Sequence, residues 1–134
     1  MSSSRSIAAQ ALLILVVMLS AALAADIPCS QCGMTVDAGS KFTAKAVSGN
    51  TTLFFCDIGD LFVYIKRKNL SADGAFVKDH PSGEWIEAKT AYFVHDGKKF
   101  RTPMGWGVAA FRDRGRAAEA GKIMDYDAAA KAMR

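Results

Sequence analysis

The apolar run at residues 7–19, broken only by Gln10 and followed by Ser20-Ala21-Ala22-Leu23-Ala24-Ala25, decides how much of this chain is left to fold. One cation, Arg5, precedes it, and Ala22-Leu23-Ala24 fits the A-x-A pattern at which export leaders are cut. The run is shorter than the roughly 20 residues a bilayer-spanning helix needs. The expectation is a secretory signal peptide over residues 1–24, cleaved after Ala24, with an exported, periplasmic domain over residues 25–134. Nothing downstream reads as a membrane span.

Removing 24 of the 134 residues leaves 110, enough for one core without disulfide support. The three cysteines therefore need another explanation. An odd count leaves at least one thiol unpaired in the monomer, and an exposed thiol in an oxidising compartment is a hazard unless a metal, a lipid or a partner holds it. A lipid anchor is not expected. A lipoprotein leader places a cysteine directly after its small-residue stretch, whereas Ala24-Ala25-Asp26-Ile27-Pro28 intervenes before Cys29.

With Arg5 gone, the 17 basic residues become 16 against 13 acidic ones, a net charge of +3. That is too mild to argue for nucleic acid. The basic groupings, Lys66-Arg67-Lys68, Lys98-Lys99 with Arg101, and Arg112, Arg114 and Arg116, carry no interleaved aromatic platform. No nucleic-acid partner is expected.

Residues 26–40 have no period and read as a loop carrying Cys29-Ser30-Gln31-Cys32-Gly33-Met34. Strands are predicted over 41–47 and 51–56, joined as a hairpin by Ser48-Gly49-Asn50. Asp57 can cap a helix running to about Lys68, with Ile58, Leu61, Phe62 and Ile65 on one face. Short strands follow at 75–78, 84–88 and 91–95, and Asp96-Gly97 predicts a tight hairpin into 98–102. The loop Pro103-Met104-Gly105-Trp106-Gly107 then opens a predicted helix start at 108–112. A helix over 114–120 closes at Gly121, a strand covers 122–126, and Asp127 caps a final helix. The sum is α+β: two small sheet-helix, ββαβ-like units in one compact domain, with no exact internal sequence repeat.

Cys29 and Cys32 stand in C-x-x-C spacing, Met34 follows, and Cys56 comes after 23 intervening residues where a strand gives way to a helix. Thiolates and thioethers select soft metals, Cu(I) foremost, which accepts two or three such ligands. A zinc ribbon would want a second cysteine shortly after Cys56, where Asp57-Ile58-Gly59-Asp60 stands instead; three cysteines plus an aspartate form an uncommon set. Blander readings stand beside this: a Cys29–Cys32 disulfide, Cys56 as a small core residue, and His80 and His95 as turn residues. Met34 and Met104 lie in glycine-flanked loops, where core fillers are less expected. No paired-carboxylate, Ser/His/Asp or phosphate-loop arrangement is present, so no enzyme is predicted.

At Cys32-Gly33-Met34, Phe54-Phe55-Cys56-Asp57-Ile58-Gly59-Asp60-Leu61-Phe62, Glu84-Trp85-Ile86-Glu87-Ala88 to Tyr92-Phe93-Val94, and Thr102-Pro103-Met104-Gly105 to Ala109-Ala110-Phe111, the chain resembles the NosL family, accessory proteins of nitrous oxide reductase. Its first half is also similar to the YHS and TRASH metal-binding modules. The NosL resemblance implies a periplasmic Cu(I) chaperone, commonly lipid-anchored, that hands copper to a membrane transporter complex for maturation of an apo copper enzyme. It also implies a site drawing on Cys32 and Met104, with Met34 as the third sulfur. Two departures stand out: the cysteine of a lipid-anchored leader is missing, and Cys56 replaces a more usual acidic or small residue. Cys29 and Cys56 complete the candidate ligand set. The rival readings are a thiol-disulfide oxidoreductase using Cys29 and Cys32, and a structural zinc module that docks a partner.

Overall fold

Helix formation after Cys56 follows the apolar spacing of the sequence. In the computed structural model, which describes residues 25–133, helix α1 spans Ile58–Arg67. Asp57 caps it through a side-chain oxygen that accepts from the Gly59 N–H, Asp60 lies in the first turn, and Lys66 and Arg67 lie in the last, each favourable to the helix dipole. Ile58, Leu61, Phe62 and Ile65 are buried. The predicted signal peptide falls outside the described residues, among which no helix is long and apolar enough to cross a membrane.

Before α1 stands the hairpin of β1 (Ala44–Ser48) and β2 (Thr51–Phe55). After it come β3 (Ala75–Lys78), β4 (Trp85–Glu87), β5 (Tyr92–His95), β6 (Val108–Phe111), α2 (Arg114–Ala120), β7 (Ile123–Met124) and α3 (Tyr126–Ala132). The strands form two antiparallel sheets, ordered β2-β1-β3-β4 and β6-β5-β7. The main core runs through both halves, with Phe55, Ile58, Leu61, Phe62, Phe93, Val108 and Met133 buried together. The Phe62 ring meets Phe93 edge-on at 5.3 Å and Tyr126 at 5.2 Å, tying the first half to the second. The architecture is α+β.

The two halves repeat one plan. Each consists of a hairpin, a helix and a third strand that pairs with the hairpin's first strand: β1-β2-α1-β3, then β5-β6-α2-β7. The repeat extends to the turn preceding each hairpin. In residues 29–34 the Cys29 N–H donates to the Met34 carbonyl (2.7 Å), the Gly33 N–H to the Cys29 carbonyl (2.9 Å) and the Ser30 N–H to Phe54 on β2 (2.9 Å). In residues 79–84 the Asp79 N–H donates to Glu84 (2.8 Å), the Gly83 N–H to Asp79 (2.7 Å) and the His80 N–H to Ala110 on β6 (2.8 Å). Gly33 and Gly83 hold φ of +80° and +75°, a region open chiefly to glycine. Phe55-Cys56-Asp57-Ile58-Gly59 corresponds to Phe111-Arg112-Asp113-Arg114-Gly115, with Asp57 and Asp113 both helix caps. The correspondence lies in backbone bonding more than in residue identity, and the sequence alone therefore does not display it.

The second turn is fastened by a carboxylate. Asp79, 6% exposed, accepts from the Ser82 hydroxyl (2.6 Å), the Ser82 N–H (3.2 Å) and the Arg112 N–H at the end of β6 (2.9 Å). Burial alone would raise its pKa, but these hydrogen bonds hold it below the usual carboxylate range.

Five local expectations need correction. The strand predicted from residue 41 starts at Ala44, because Ser40 accepts from the Phe42 N–H and the Thr43 hydroxyl donates to Asp37, which holds 40–43 in a turn. Residues 98–102 form no strand: the Asp96 carboxylate accepts from the Lys98 and Lys99 N–H groups and folds a wider loop, closed by the Asp96 N–H on Gly107. The predicted helix start at 108–112 is strand β6, buried along its whole length and paired to β5; a short apolar run does not itself distinguish the two. The strand predicted over 122–126 is only Ile123–Met124, because the last helix already starts at Tyr126, capped by the Asp125 carboxylate, which accepts from the Ala128 N–H at 2.8 Å, and not by Asp127, which lies in its first turn.

Candidate metal centre

The turn at 29–34 aims its cysteines at the point where β2 ends and α1 begins. Cys56 is the first residue after β2, and the Ser30 bond to Phe54 docks the turn beside it. The Cys32 and Cys56 sulfurs lie 3.4 Å apart. In the first turn of α1, Asp60 brings its Oδ2 into the group, accepting from the thiols of Cys29 (3.4 Å) and Cys56 (3.7 Å). The ligand atoms of Cys29, Cys32, Cys56 and Asp60 all fall within 4.8 Å of one another. Cys29, Cys56 and Asp60 are buried, and Cys32 is partly exposed.

The second half supplies the frame. The other oxygen of Asp60, Oδ1, accepts from the Trp106 indole N–H at 2.8 Å. Asp57, fully buried, accepts from Gly59 at one oxygen and from the Met104 N–H (2.9 Å) at the other. The loop carrying Met104 and Trp106 is thereby pinned to the first turn of α1. Gly59 permits this approach: a Cβ there would lie 2.0 Å from the Trp106 ring.

Burial raises the pKa of the Cys56 thiol well above its ordinary value, and the neighbouring Cys32 and Cys29 raise it further. The Cys32 thiol is raised too, chiefly by burial, although bonds from Met34 and Cys56 partly offset this. Both are thiols, not thiolates, near neutral pH, so an arriving cation must displace protons.

All three cysteines are free, and the cluster unites Cys29, Cys32 and Cys56 from the sequence-derived set. Met34 and Met104 instead stand 51% and 42% exposed, each on a loop hydrogen-bonded into the frame. Sequence reasoning weighed three cysteines plus an aspartate as an uncommon set without assigning Asp60 to the site, and it missed Trp106 and Asp57 as supports. The closeness of Asp60 to Cys56 across the strand-to-helix junction was the available signal; nothing in the sequence marks the Trp106 contact.

Fold and site together define a duplicated α+β domain with a sulfur-rich pocket whose donor set suits a soft or borderline metal ion. The family model described as NosL matches residues 20–133, and the chain belongs to the NosL family. The crystal structure of the copper chaperone NosL from Shewanella denitrificans is similar in fold, with a TM-score of 0.60 and 19% identity over 75% of this chain and 87% of that one. None of the curated proteins matches the chain.

Proposed function

We propose that this protein is a periplasmic carrier that holds Cu(I) on sulfur and passes it, through a membrane transporter complex, to an apo copper enzyme of the nitrous oxide reductase type. The observation that carries this reading is the convergence of three thiols with only Cys32 reaching the surface, beside two loops that expose Met34 and Met104. Family membership and the likeness to a copper chaperone support it. Cu(I) is content with two or three soft ligands, so a receiving sulfur can attack an unsaturated ion before the donors leave. Exposed thioethers suit capture and release; buried thiols suit retention.

A disulfide-exchange enzyme is less well served. Its attacking thiol normally has a depressed pKa at a helix N-terminus, whereas Cys29 and Cys32 sit in a turn and burial raises Cys32.

Anaerobic titration of the reduced domain against a chromophoric Cu(I) chelator tests the proposal. One tightly bound equivalent is expected. Since the raised thiols must lose protons on loading, apparent affinity rises with pH by about tenfold per unit for each thiol deprotonated, throughout the range below the thiol pKa. Failure to compete with the chelator, or affinity flat with pH, would remove the carrier reading.

A further inference from the structure

The geometry points to a second coordination state of the cluster, in which Asp60 joins Cys29, Cys32 and Cys56 as fourth ligand to a divalent ion of the zinc class. This rests on reading the cluster as a metal centre, and it goes beyond the sulfur-only binding of copper.

Three observations converge on it. First, the Asp60 carboxylate is already oriented as a metal ligand: Oδ1 is anchored by the Trp106 indole, and Oδ2 is left among the thiols. Outer hydrogen bonds of this kind fix ligating carboxylates in metal sites. Second, the spacing fits. In a tetrahedral site with metal–sulfur bonds of about 2.3 Å, ligand sulfurs stand about 3.8 Å apart; here the donor atoms are separated by 3.4 to 4.8 Å, and a cation entering among them requires small displacements. Third, the repeat shows what this position does. In the other half, the Asp79 carboxylate fastens the turn to the end of β6 through three hydrogen bonds to Ser82 and Arg112. In the half that carries the thiols, the same two segments meet through the Ser30 backbone bond to Phe54 and the 3.4 Å Cys32–Cys56 contact, with Asp60 of α1 touching a thiol on each. A four-coordinate ion supplies the missing fastening.

Cu(I) gains little from a carboxylate, whereas a borderline divalent ion in a closed site takes four ligands. Asp60 thus distinguishes the two ions. Each thiol that binds the divalent ion as a thiolate gives up its proton to solvent, while the Asp60 carboxylate moves onto the metal through Oδ2.

Co(II), a spectroscopic probe for zinc sites, tests this by anaerobic titration of the wild type and Asp60→Asn, with Cu(I) titrations in parallel. The wild type is expected to show tetrahedral Co(II) absorption with thiolate charge transfer. Asp60→Asn should weaken Co(II) by at least the roughly 10- to 100-fold that losing even an outer-shell partner costs, while changing Cu(I) affinity less than about threefold. A second variant, Asp60→Cys, should bind Co(II) with charge-transfer intensity rising from three thiolates to four, a change a merely structural aspartate would not produce. Equal loss of both ions in Asp60→Asn, an unchanged spectrum in Asp60→Cys, or tight Cu(I) binding by a wild type that ignores Co(II) would overturn the inference. The last of these leaves the copper reading intact; Co(II) binding without Cu(I) binding does the reverse.

Discussion

Cys56→Ser is expected to weaken Cu(I) binding by more than about 100-fold, exceeding the loss typical of an outer-shell partner, because a hydroxyl cannot replace a thiolate as a donor to a soft ion. The expectation comes from position. Cys56 is 2% exposed, as a core cysteine would be, yet its sulfur lies 3.4 Å from Cys32 and faces the Asp60 carboxylate. A core filler and a ligand predict different outcomes. If Cys56 only fills space, serine costs stability through a buried hydroxyl and leaves the chelator competition unchanged. If it is a donor, affinity collapses by more than any loss of stability in the metal-free protein accounts for. Measuring both on one variant separates them.

Gly59→Ala is expected to destabilise the domain, although the change lies inside a helix. Alanine ordinarily gains about 1 kcal/mol over glycine inside a helix. Here the added carbon would sit 2.0 Å from Trp106 Cγ and 2.5 Å from its Cβ, so the indole must leave. Displacing it strains a packed contact, at about 1–3 kcal/mol, and breaks a hydrogen bond to a buried carboxylate, at about 1.5–3 kcal/mol. The net loss is about 1.5–5 kcal/mol, a fall in melting temperature on the order of 10 °C for a domain of this size. A thermal melt showing alanine equal to or better than glycine would mean that the loop at 102–107 is not held against α1.

Much of the fold was legible because its strongest signals are local. Asp57 followed by apolar residues at 58, 61, 62 and 65 could form little but a capped helix, and 75–78 was bounded on both sides by turn residues. Where a short apolar run lacked a period, as at 108–111, tertiary pairing decided and the sequence reading failed. Asp96-Gly97 misled because the aspartate bonds two following N–H groups instead of closing a two-residue turn. The site divided in the same way. Cysteine spacing pointed to a cluster of thiols, but the carboxylate beside them is picked out only once the first turn of α1 sets Asp60 against both the thiols and Trp106.

The duplicated plan gives one architecture two kinds of fastening. One copy of the turn is locked by Asp79 through bonds to Ser82 and Arg112; the other brings together three free thiols and a carboxylate. Because the core is shared across the halves, both copies rest on the same buried side chains. Rigidity and chemical openness are thus assigned to separate versions of one module.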